Sequence, residues 1–234
     1  MYGRNPLHIN KSCAVSALTG RTAARRIFMK SQTRKPSIQT LTFGAVLTAL
    51  VIILQFMGSF IRFGPFSISL VLIPIVIGAA TCGAYMGAWL GFVFGVVVLI
   101  SGDAAAFLTV NVPGTIITVL LKGTACGFCA GLIYKALAKF NRYVGVVAAA
   151  VVCPLVNTGV FLLGCWLFFF ETVSAWAAGM GYGSNVAAYM FLGLVGGNFL
   201  FELGINMVLS PIIVRLLRIR SKEPSKSITS NDAE

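Results

Sequence analysis

Few side chains inside this chain can do chemistry. They are Arg62, Asn111, Lys122, Asn157, Trp166, Asn198 and Glu202, each set in or beside an apolar run. Asn198, Glu202 and Asn206 recur at i, i+4 and i+8, so they share one face of a helix. Lys122 interrupts the run TIITVLLKGTACG. A lysine in the middle of a membrane costs roughly 2.5–3.5 kcal/mol unless it is paired or wetted. At about 1.5 Å of rise per residue, Lys122 lies ~13 Å and Glu202 ~20 Å from the ends of their apolar segments. Two readings of this set stay open, and they are compatible. One is a Lys–Glu pair with amide glue that serves packing; the other is a polar cluster opening to one side, which a hydrophilic ligand requires.

Catalytic chemistry has no such support. The sequence contains no G-x-x-x-x-G-K-[ST], no H-E-x-x-H and no G-x-S-x-G, and its only histidine is His8. A His-based triad, a haem site and ATP hydrolysis by this chain are therefore not expected, and no cofactor is expected either. Cys126 and Cys129 form a C-x-x-C without a second pair or a nearby histidine, so no metal site is expected. Five of the six cysteines, all but Cys13, lie in apolar runs and read as small packing residues. A membrane enzyme acting on a lipid through Asp103, Lys122 and Glu202 is one alternative, but these residues are far apart in the chain and match no catalytic spacing. A solitary secondary transporter or channel is another.

The elements that must position these residues are membrane spans. Of 234 residues 58% are hydrophobic and 10% charged, against about 25% charged in a soluble domain. The net charge of +12 would suggest nucleic acid on a soluble surface. Here it is segregated at the ends and in one connection, which is a topological pattern, and no nucleic-acid partner is expected. Six apolar segments, at 39–59, 66–82, 84–101, 114–138, 143–170 and 188–217, are each near the ~20 residues that cross a ~30 Å core. Pro74 lies in the middle of the second, where it is expected to break the helical ladder, and Pro154 lies in the fifth. With both termini cytoplasmic, every Lys and Arg except Arg62 and Lys122 falls on the cytoplasmic side. The loops on the other side, around Arg62, around Asp103 and Asn111, and from Glu171 to Tyr189, are longer and richer in polar and aromatic residues. That side reads as the recognition face.

Residues 1–36 form a basic, acid-free arm that reads as disordered and cytoplasmic, with an organellar leader as the alternative. It has no apolar core of a secretory signal. Met29 is expected to be the better start, which leaves 1–28 outside the native chain. Residues 37–218 form the membrane domain and 219–234 a polar cytoplasmic tail. Inside the membrane domain, Gly87, Gly91 and Gly95, then Gly123, Gly127 and Gly131, then Gly193 and Gly197, make small-xxx-small stripes that predict a tightly packed bundle. Ala45 and Ala49 have the same spacing in the first segment. Phe161, Trp166, Phe168, Phe169 and Phe170 cluster at the outer end of the fifth, as an interfacial belt or as rings that stack on a flat ligand.

The ordered set Ala45-x-x-x-Ala49, FGPFSISLVLIPIVIGA, GAYMGAWLGFVFGVVVLISGD, NVPGTIITVLLKG, GLIYK and CPLVNTGVFLLG resembles the S components, the substrate-binding membrane subunits of energy-coupling factor (ECF) transporters. The resemblance runs from about Ser37 to Arg218 and is strongest from Pro65 to Gly164. It implies an all-α, six-helix transmembrane bundle in a bacterial-type plasma membrane, with both termini cytoplasmic. It implies capture of a vitamin or related micronutrient from outside, and as partners a transmembrane T component and two ATPase subunits. It gives Ala45 and Ala49 the role of docking the T component. The implied pocket lies in the outer half, between the fourth to sixth helices and the loops after the first, third and fifth. That location picks out Arg62, Asn111, Lys122, Asn157, Trp166, Asn198 and Glu202. A Lys or Arg there suits the acid group of a pantothenate-like vitamin, and the aromatic rings suit a riboflavin-like vitamin.

Overall fold

The computed structural model describes residues 38–60, 62–63, 66–67 and 70–222, and their side chains except at 62, 63, 66, 67, 198 and 216–222. The basic arm expected over 1–36 lies outside the described residues, as does the tail expected over 219–234 except for 219–222, which continue the last helix. Helix α1 (Ile38–Phe60) is followed by two two-residue strands, β1 (Arg62–Phe63) and β2 (Phe66–Ser67), paired antiparallel with Arg62 opposite Ser67. Then come α2 (Leu72–Cys82), α3 (Ala84–Ile100), the short α4 (Ala105–Leu108), α5 (Val112–Leu137) and α6 (Arg142–Phe168). The chain finishes with α7 (Phe170–Gly179), α8 (Val186–Ala188), a π-helical stretch (Tyr189–Leu194) and α9 (Gly196–Lys222).

Three of these helices, α1, α5 and α6, are long and apolar enough to cross a membrane, and the bent pair Val186–Leu194 and Phe199–Arg215 makes a fourth if taken as one span. Their surfaces fit that solvent. On α1 the buried residues are Gly44, Leu47, Val51, Gln55 and Gly58, a single stripe at helical spacing. The opposite face exposes Val46, Ile53 and Met57. A helix apolar all round with one packed stripe has lipid, not water, on its other side.

Two of the six expected segments differ from their sequence reading. The second is helical only over Leu72–Cys82, which rises about 16 Å and is short against a ~30 Å core. Pro74 is therefore not mid-helix. It sits in the first turn, where its missing N–H has no carbonyl to serve, and no ladder is broken. The sixth is interrupted, with a half over Val186–Leu194 that ends in the π-helical stretch and a half over Phe199–Arg215 bent from it by 42°. The cause is in the sequence: Gly193, Gly196 and Gly197 weaken the helix where the two halves meet.

Gly83 joins α2 to α3 with φ at 95°, a conformation open to glycine, and so allows a connection of one residue. From there α3 runs antiparallel to α5 with the two glycine stripes face to face. A methyl group at Gly91 would collide with the carbonyl oxygen of Gly123, and one at Gly87 with that of Gly127. In return, a methyl at Gly123 meets the Gly91 carbonyl, and one at Gly127 the Gly87 carbonyl. Gly131 abuts Ala84 and Gly95 abuts Val119, so the register holds along the whole contact. Absence of side chains brings Cα–H groups to carbonyl oxygens, a recurrent weak attraction between helices in lipid. Cys126 and Cys153 are buried in the core beside this seam as free thiols, as packing residues would be.

Gly91→Ala and Gly123→Ala should each destabilise the bundle by about 1–3 kcal/mol, because neither backbone can yield. Gly204→Ala, on a part of α9 where a methyl meets nothing, should leave stability unchanged or slightly raised. Thermal unfolding of the three variants in detergent checks the contrast.

Candidate functional site

The helix arrangement gathers one end of the bundle around a cavity of about 80 Å³. Its wall takes Gln55 from the last turns of α1, Phe94 and Val98 from the end of α3, and Thr115, Thr118, Val119 and Lys122 from the start of α5. Asn157, Thr158 and Phe161 come from α6, Leu194 from the π-helical stretch and Glu202 from α9. The connections between helices close the ring with Asp103, Ala104, Phe107 and Phe169.

Local structure aims these groups. Asn111 caps α5: its side-chain oxygen accepts the N–H of Gly114 at 3.0 Å, and Pro113 occupies the first turn. From that cap, Thr115, Thr118 and Lys122 follow at i, i+3 and i+7, so one face of α5 lines the cavity with two threonines and a lysine while the glycine face meets α3. The Lys122 ammonium lies 5.7 Å from the ring centroid of Phe94 and 5.1 Å from that of Phe161, within cation–π range of both. Glu202 and Asp103 act on it through space. Glu202 is almost fully buried, and its backbone carbonyl accepts the Asn206 amide at 2.9 Å.

Two further features shape the wall. Gln55 Nε2 donates to Asp103 Oδ2 at 2.6 Å, and the Ser101 hydroxyl donates to the same oxygen at 3.3 Å. This bond ties α1 to the α3–α5 connection. Phe107 is the hub of an aromatic cluster, edge-on to Phe161, Phe169 and Trp176 at 5.1–5.5 Å between centroids. Such geometry is favoured between rings and rigidifies that side of the cavity. Within this wall, Thr118 Oγ1 and Asn157 Oδ1 are buried and have no hydrogen-bond partner.

A family model for the substrate-specific component of ECF transporters matches residues 39–214, most of the chain and all of the bundle around this cavity. The chain belongs to that family. A comparison with curated individual proteins returned no match. The family is one of transporter components, so this S component is part of a membrane transport system and not an enzyme family member.

Of the residues expected to form the S component's site, the structure brings Lys122, Asn157 and Glu202 into one wall. Asn111 acts at the site's edge as a helix cap. Trp166 is 60% exposed and does not line the cavity. The side chains of Arg62 and Asn198 lie outside the described residues. Phe161 and Phe169, expected as belt or stacking rings, are in the wall. Sequence reasoning missed Gln55, Phe94, Phe107, Thr115, Thr118 and Thr158. Gln55 had a usable signal, as an amide deep inside an otherwise apolar segment. Phe107 had none.

Replacing Gln55 by Met should cost about 1.5–3 kcal/mol, since it removes a short hydrogen bond to a carboxylate. Combined with Asp103→Asn in a double-mutant cycle, unfolding in detergent should show a coupling of at least about 0.5 kcal/mol.

Proposed function

We propose that this chain is the ligand-capturing subunit of an ATP-driven uptake system in a bacterial-type plasma membrane, working with a T component and two ATPase subunits. It takes a vitamin or related micronutrient from outside the cell. The observation that carries this reading is the cavity itself, a polar wall with an aromatic border enclosed at one end of an apolar bundle. A channel or solitary secondary transporter needs a path to the other end. Here the glycine seam between α3 and α5 leaves no space for one between those two helices.

Six crossings with both termini cytoplasmic accord with the chain path. Gly44 near the start of α1 abuts Met86 near the start of α3, so both helices run the same way. The chain between them must return, and α2 with its flanking residues is what returns it. In this reading the placement of Lys and Arg puts the cavity end outside. Lys122, Asn157 and Glu202, with Thr118, are the ligand-contacting groups in this reading.

The T-component role of Ala45 and Ala49 is supported by their exposure, away from the buried stripe of α1. Small side chains on a lipid-facing surface leave room for a second helix to approach. Replacing both by Trp should abolish ATP-dependent uptake in cells carrying the whole transporter, while small molecules retained by the purified chain stay the same. Uptake at the wild-type rate would count against docking at this face. Loss of the retained molecule would mean that the change acts on the cavity.

A further inference from the structure

The wall of the cavity carries an incomplete set of hydrogen bonds, and the missing partners have a chemistry. Lys122 is the only cation among the described residues of the wall. Its ammonium has ring faces on two sides, which attract its charge but are poor acceptors for three N–H donors. One turn earlier on the same face, the Thr118 hydroxyl is 4% exposed and its oxygen has no partner. On α6, Asn157 is 6% exposed and its side-chain carbonyl oxygen is likewise unmatched. A buried polar atom left in this state costs about 1–3 kcal/mol. Two unmatched atoms in one wall mark a place where a guest supplies the partners.

We infer that the guest is a small organic acid that also carries hydroxyl or N–H donors, its acid group on Lys122 and Thr118 and a donor on Asn157; this rests on the binding-subunit reading above. The ammonium and a hydroxyl one turn apart present N–H and O–H donors to one carboxylate. The Asn157 carbonyl is an acceptor and asks for the opposite, a hydroxyl or N–H.

The cavity, about 80 Å³, is smaller than the ~150 Å³ that admits one benzene ring, so a guest of vitamin size widens it on entering. The phenylalanine rings around Lys122 then exclude water from the ion pair and strengthen it.

The test uses the full chain purified in detergent, with sodium pantothenate, nicotinate and biotin as acid probes and riboflavin, pyridoxine and thiamine as neutral or cationic ones. Pantothenol, which has the body of pantothenate with an alcohol in place of the acid, is the matched control. An acid probe should raise the unfolding temperature and bind by calorimetry, with pantothenate favoured because it has both hydroxyl and amide N–H donors. Lys122→Met should weaken that binding by at least about 100-fold, while Lys122→Arg restores much of it. Asn157→Leu should weaken acids that carry donors more than nicotinate, which has none.

Equal binding of pantothenol and pantothenate, or unchanged acid binding in a folded Lys122→Met variant, overturns the inference. So does stabilisation by riboflavin, pyridoxine or thiamine alone, with the transport reading left standing. If no probe binds, mass spectrometry of the molecule that co-purifies decides. An acid with donors upholds the inference and any other molecule overturns it. A chain that carries no small molecule and binds no probe overturns the binding-subunit reading itself.

Discussion

The backbone contact between α3 and α5 is the constraint on which the rest of the bundle depends. In lipid no hydrophobic force drives two apolar helices together, so association rests on how closely they pack. Here glycine carbonyls on each helix occupy the space where the other's side chains would be. The contact is reciprocal and repeats at every turn, so it fixes distance and register together. A slip by one residue would set a side chain against a carbonyl at several positions at once. Everything else is hung from this pair: α2 through the one-residue connection at Gly83, α6 through Thr118 on Gly164, and the cavity wall through the opposite face of α5.

That arrangement explains how a lysine can be tolerated in the middle of an apolar helix. Rotating α5 would place Lys122 in lipid, but the glycine seam forbids rotation. The ammonium is held toward the cavity, between the rings of Phe94 and Phe161 and in the field of two carboxylates. The cost of burial is offset by a prepared environment, and the charge is kept where it can act.

What the sequence made legible, and what it did not, follows from the same physics. Glycine stripes are periodic and few other features produce them, so the seam could be read directly. Lys122, Asn157 and Glu202 stood out because a polar group in an apolar run is costly wherever it points. Hydroxyls gave no such signal, because a threonine in a helix can satisfy itself on its own backbone. Thr115 does so, donating to the Asn111 carbonyl at 2.7 Å, whereas Thr118, one turn on, is left unmatched. Only the surroundings separate those two cases. Pro74 misled for a similar reason: where α2 begins is set by the turn before it, which has no apolar periodicity to mark it. The glycines at 193, 196 and 197 were legible as small residues, but whether they pack or interrupt depends on what lies opposite. At Gly197 there is nothing within contact, and the helix breaks beside it.

The connection over 101–111 carries Asp103 and Phe107 to the cavity, yet the two helices it joins are registered by their own backbones. Their alignment does not rely on the length or composition of that connection. The molecule thus separates its frame from its lining. Asp103 and Asn111 in this stretch also anchor α1 and the start of α5, but substitutions at its other positions change shape and polarity at the mouth of the cavity without touching the glycine register beneath it. Such a separation lets one architecture be retuned for different guests by a handful of residues, because the α3–α5 register is held by backbone atoms that do not line the cavity.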